Sequence, residues 1–126
     1  VPDRPVHLIL DASAIVAFVR ESIHVGEVVA EVDAEDAAVG LPVLCLARAR
    51  TMVEDVDRLN LLVDHGAAVV LPDPDDWQAL AATLDLVGRW DAAAAALLAL
   101  DSGLAVLTAT PGLYAGLGGG DLTIDV

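Results

Sequence analysis

Four short runs, Val6–Leu10, Ala37–Leu41, Ala67–Leu71 and Leu104–Leu107, are nearly free of polar residues, and helical patterns separate them. Strands buried on both faces read this way, because neither face alternates toward water. Strand and helix in alternation build βαβ units. The sequence therefore predicts an α/β fold, with a mostly parallel central sheet of four to five strands covered on both faces. Leu122–Val126 alternates apolar and polar residues and predicts an edge strand. No linker or repeat divides the chain, so residues 1–126 read as one domain.

Local signals bound the helices. Asp11 or Ser13 caps a helix over Ala12–Arg20. His24–Glu35 carries Val25, Val28, Val29 and Val32 on one stripe and turns Glu27, Glu31 and Glu35 to water. Pro42 opens a long helix over Val43–Leu59. Asp73 and Pro74 start a helix that buries Trp77, Leu80, Ala81, Leu84 and Val87 and closes at Gly88. Asp91 opens the next, Ala92–Asp101, which is apolar nearly all round and therefore central. Thr110-Pro111 starts a short helix ending near Gly116, and Gly118-Gly119-Gly120 reads as a turn.

The formal charge is -14, from 20 acidic and 6 basic residues, and every basic residue is Arg. Such a surface repels phosphate backbones unless the arginines cluster, and it suits divalent cations or a basic partner. The single cysteine, Cys45, excludes an intrachain disulfide and reads as a small core hydrophobe. Val1–Arg4 is too short and polar for a signal peptide. The longest apolar run, Ala92–Leu100, is well short of a membrane span. The expectation is a cytoplasmic protein with no membrane partner; no DNA-binding motif is present.

Several residues have bland readings. His7, His24 and His65 lack metal-ligand spacing, and His65 reads as a charge on a helix C-terminus. Asp73, Asp75 and Asp76 lack the Gly and distant Glu of a calcium loop, and Gly116–Gly120 is not followed by the Lys of a phosphate loop. Trp77 and Trp90 read as packing residues.

Ligands in open α/β sheets bind beyond the C-terminal strand ends. Four segments reach that edge: Asp11, the start of the Pro42 helix, Asp91, and the Thr108-Ala109-Thr110 turn. Carboxylates gathered there would hold Mg²⁺ or Mn²⁺, which favour oxygen ligands, and the metal would activate water for in-line phosphoryl transfer.

The order and spacing of four stretches carry a family resemblance. They are Leu10-Asp11-Ala12-Ser13-Ala14, the run from Pro42 to Ala49, Arg89-Trp90-Asp91-Ala92-Ala93, and the run from Ala105 to Tyr114. Together they resemble PIN-domain ribonucleases, especially small actinobacterial toxins of the VapC type. The resemblance covers nearly the whole chain and implies a PIN-like three-layer α/β/α sandwich. It also implies a four-acid metal site. Asp11 matches the first acid and Asp91 the third, as catalytic and metal-binding residues. Arg48 stands where the family has its second acid, and Thr110 stands where it has its last. Arg20, Arg50, Arg89 and Thr108 are candidate RNA contacts. RNA, an antitoxin-like protein and a second copy of the chain are the partners implied, with the valine-rich second helix a candidate dimer face.

Two functional readings follow. One is a PIN-like module with a degenerate metal site, inactive or weakened as a nuclease, that binds RNA or protein. The other is an active Mg²⁺- or Mn²⁺-dependent endoribonuclease. In the first, the Arg48 guanidinium is expected between Asp11 and Asp91, in place of the metal. A simpler account makes Asp11, Asp91 and Thr110 helix N-caps, each worth about 1 kcal/mol. A cofactor-binding flavodoxin-like domain lacks a fingerprint here.

Overall fold

The apolar run that ends in Asp11, β1 (Val6–Leu10), takes the middle of the sheet. The structure is a computed structural model that describes residues 4–117 and 122–126, so the Gly118-Gly119-Gly120 turn lies outside the described residues. β2 (Ala38–Pro42), β3 (Ala68–Leu71), β4 (Ala105–Thr108) and β5 (Thr123–Asp125) complete one sheet in the order β3-β2-β1-β4-β5. All four pairings are parallel. Around the sheet lie α1 (Ala12–Val19), α2 (Ile23–Ala34), α3 (Val43–Met52), α4 (Val56–Val63), α5 (Trp77–Val87), α6 (Trp90–Ser102) and a 3₁₀ helix (Pro111–Leu117). The result is the expected three-layer α/β/α arrangement, with Leu122–Val126 contributing the edge strand β5. No helix among the described residues is long and apolar enough to cross a membrane.

The core follows from the runs that define the strands. Ile9, Leu10, Val39, Leu41, Val106 and Leu107 are almost wholly buried. On α6, Ala92 to Ala96, Leu97 and Ala99 are buried, as an apolar helix packed against α5, α3 and the sheet requires. Gly40 sits where β1 and β3 side chains close over β2. A Cβ there would lie 2.6 Å from Leu71 Cδ1 and 2.9 Å from Ile9 Cδ1. Both contacts are flexible side-chain ends, so Gly40→Ala is expected to cost about 1 kcal/mol, read as a lowered urea midpoint.

Several local expectations are corrected. The pattern over Val43–Leu59 is not one helix. Val53 turns extended at φ -109° and ψ 149°, and Asp55 starts α4 by accepting the Arg58 N–H at 3.0 Å. The cap of α5 is Asp76, not Asp73; its carboxylate accepts the Ala79 N–H at 3.0 Å. Trp77 is therefore the first helical residue and 72% exposed, while Thr83 and Val87 are buried. Val25, Val29 and Val32 of α2 are buried, and Val28 is half-buried beside them. His65 directly follows the C-cap of α4, and its Nδ1 accepts the Ala67 N–H at 2.9 Å.

Candidate functional site

The sheet order reverses direction at β1, whose two neighbours are β2 and β4. The crevice beyond the C-terminal ends of β1 and β4 is thus the switch point where this architecture binds ligands. Leu10 pairs with Leu107. The next residues, Asp11 and Thr108, are brought side by side, and the Asp11 N–H donates to Leu107 O at 3.3 Å.

Asp11 is buried, and both of its oxygens are occupied. Oδ1 accepts the Ser13 hydroxyl at 2.6 Å and the Ala14 N–H at 3.0 Å, which makes Asp11 the N-cap of α1. Oδ2 accepts the buried Tyr114 hydroxyl at 2.7 Å. Ser13 also ties this turn to the β4 loop, since its oxygen accepts the Ala109 N–H at 2.9 Å. Thr108 is fully buried, and its hydroxyl accepts the Thr110 N–H at 2.9 Å. It therefore shapes the loop and offers no surface to RNA. Thr110 is exposed; its hydroxyl lies 3.3 Å from that of Thr108.

Asp91 reaches the same edge from α6. It is not the N-cap of that helix: Arg89 holds the cap position, with extended backbone at φ -140° and ψ 140°. From there Arg89 grips both oxygens of the carboxylate. Nε donates to Oδ1 at 3.3 Å and Nη2 to Oδ2 at 2.8 Å, a bidentate pair. Arg48 is the outer partner. Its Nε lies 3.9 Å from Asp91 Oδ2, its side chain is 44% exposed, and it makes no ion pair with Asp11. The expected bridging role of Arg48 is thus corrected: Arg89 holds Asp91, and protein hydroxyls hold Asp11.

Cys45 lies between the two acids, donating its S–H to Asp91 O at 3.2 Å. Burial, then the charges of Asp11 and Asp91, push its thiol well above the ordinary range, which disfavours the thiolate. Burial and then the Asp11 charge raise the Tyr114 hydroxyl in the same way, which keeps it a donor. The hydrogen bond to Asp91 raises Arg89 further.

These residues do not fit a hard divalent cation. One carboxylate carries three protein donors and the other a bidentate guanidinium, with a second guanidinium close by. Among the described residues no three His, Cys, Asp or Glu side chains gather as a metal would require.

Outside Asp91 an open cavity of about 350 Å³ is lined by Leu44, Arg48, Gly88, Arg89, Trp90 and Asp91. Trp90 is 55% exposed on its wall rather than packed. A second, more apolar groove of about 370 Å³ includes Val16, Ala17, Arg20 and Met52. Arg20 and Arg50 are exposed, but Arg20 borders the second groove while Arg48 and Arg89 face the first. Sequence reasoning left Ser13 and Tyr114 out of the site. Tyr114 carried one usable signal: it is the single tyrosine of a chain with 3% aromatic residues.

The fold matches the crystal structure of PAE2754 from Pyrobaculum aerophilum with a TM-score of 0.69 at 21% sequence identity. The match covers 97% of this chain and 92% of that one, and it shows a shared fold. No family model and no curated protein matches the chain.

Proposed function

We propose that this chain is a PIN-domain-like protein whose metal site has become an internally neutralised polar cluster, and that it serves as a protein-interaction module without nuclease chemistry. The observation that carries this reading is the bidentate Arg89–Asp91 pair. A nuclease of the resembled type needs its acids free to hold a cation. Here one acid is already neutralised by a guanidinium, the other is saturated by hydrogen bonds, and two further family positions hold Arg48 and Thr110. The net charge of -14 favours a protein partner over RNA, because a polyanion meets repulsion at nearly every approach.

Thermal unfolding with and without Mn²⁺ tests it. A site filled at a hundredfold excess over its Kd gains about 2.7 kcal/mol. For a domain of this size that is about 10 °C in Tm. No shift is expected in the native chain. A shift of that size, with RNA cleavage lost in Asp11→Asn, would instead establish the metal-dependent endoribonuclease.

A further inference from the structure

We propose that the exposed face of α5 is the contact between two copies of this chain, paired antiparallel about a two-fold axis that passes between Ala81 and Ala82. This gives the protein-interaction reading above its partner and rests on that part of it, not on the state of the buried acids.

The helix is lopsided. Thr83 and Val87 are buried, while Trp77, Gln78, Ala81, Ala82, Asp85 and Leu86 are exposed. Trp77 is 72% and Leu86 56% exposed. Large apolar side chains left this open on one helix face gain from being covered. The 3₁₀ helix packs along α5, with Gly116 against Leu86, and it widens the face without adding a charge.

Charge selects the occupant. Among these six residues Asp85 carries the only charge, and it makes no ion pair among the described residues. A basic partner would be drawn to the rest of the surface, where nearly all of the 20 acids lie. Two copies at -14 each meet best where charge is almost absent. The other exposed helix faces are unsuited to this. A two-fold contact on α2 would set Glu27 and Glu31 against their own copies, and one on α4 would do the same with Asp57 and Asp64.

The order of the residues fixes the register. Gln78 and Asp85 are about two helical turns apart on one line down the middle of the face, and Ala81 and Ala82 lie halfway between them. An antiparallel pair centred there sets Gln78 of each copy opposite Asp85 of the other, and the amide N–H donates to the carboxylate. Two-fold symmetry makes this contact twice. Ala81 and Ala82 meet at the crossing, where side chains that stop at Cβ let the helix axes approach to about 8 Å. Trp77 and Leu86 stand at opposite edges and close over the contact. The face thus complements itself, one acid answered by one amide donor. A parallel pair would set Asp85 against Asp85. It would also gather Asp75 and Asp76 of both copies at one end, whereas the antiparallel pair keeps them at opposite ends. With 11 residues α5 is about 16 Å long, so the face is at the low end of specific interfaces and a Kd on the order of 10 μM is expected.

Sedimentation of the full-length chain tests this at about 0.15 M NaCl, which screens the net charges but not groups in contact. The native chain is expected to dimerise reversibly. Gln78→Glu sets an acid against Asp85 and should weaken the dimer about fivefold; Gln78→Lys sets a cation there and should tighten it about fivefold. The stability of the single chain moves the other way, because Gln78 lies in the first turn of α5, where the helix dipole favours Glu and disfavours Lys. A change in folding therefore cannot imitate the result. The proposal is overturned by a native chain that stays monomeric up to about 1 mM. It is equally overturned by a dimer that neither variant changes, which would sit on another face, or by two variants that shift it in the same direction. Mn²⁺ separates the two levels: a monomer with no Mn²⁺ shift in Tm overturns the dimer alone, and a rise in Tm with Mn²⁺ overturns the metal-free reading.

Discussion

Arg89→Leu is expected to lower the unfolding free energy by about 2 kcal/mol, measured by urea denaturation near neutral pH. The Asp91 side chain is only 9% exposed, and Arg89 supplies both of its close ion-pair hydrogen bonds. Deleting one partner of a fully buried pair costs about 3–5 kcal/mol, because the other charge stays buried and uncompensated. The cost here is smaller for two reasons. Arg89 is about a third exposed, so water already screens the pair, and Arg48 at 3.9 Å can move inward. The double variant Arg89→Leu plus Asp91→Ala should recover most of the loss, since it removes both charges. A single variant as stable as the native chain would mean that Asp91 does not depend on Arg89.

Asp11→Ala in the presence of EDTA should cost about 3 kcal/mol, and Asp11→Asn about 1 kcal/mol. The alanine variant loses the α1 cap, worth about 1 kcal/mol. It also leaves the Tyr114 hydroxyl buried without its acceptor, worth about 1–3 kcal/mol more. Asparagine keeps an oxygen for the Ala14 N–H, and although its amide cannot accept the Tyr114 O–H it can donate to the Tyr114 oxygen, so the loss is smaller than in alanine. The sign separates two kinds of site. In a cluster of acids held together by a metal, removing one acid without the metal relieves repulsion and stabilises the fold. Here the carboxylate is surrounded by donors, so its removal destabilises. A gain in stability for Asp11→Ala under EDTA would overturn the neutralised-cluster reading.

The contrast between Arg48 and Arg89 shows why part of the site was hidden from the sequence. Residues two apart on a helix do not face each other, which argues against an Arg89–Asp91 pair. Arg89 is not helical, however. Its extended cap conformation swings the guanidinium back over Asp91, and that conformation belongs to the junction with Gly88, which ends α5 at φ 87°. Tyr114 and Asp11 are separated by 103 positions and meet through the β1–β4 pairing. Trp77 looked like core because its spacing suits the stripe of α5. The cap at Asp76 places it in the first turn, beyond the layer it would pack against.

The sequence by itself determined the alternation of buried strands and helices, and with it the layers of the fold. It determined that Asp11 ends a buried strand and that α6 is central, because apolar periodicity reports burial directly; the middle place of that strand came from the sheet order. The tertiary structure alone decided the partners of the two acids. Those depend on where helix ends come to rest and which way the chain turns between them, and periodicity carries no information about either. Asp11 lies at the sheet edge because its run of residues is a strand; it is saturated because Tyr114, on a distant 3₁₀ helix, folds back onto it.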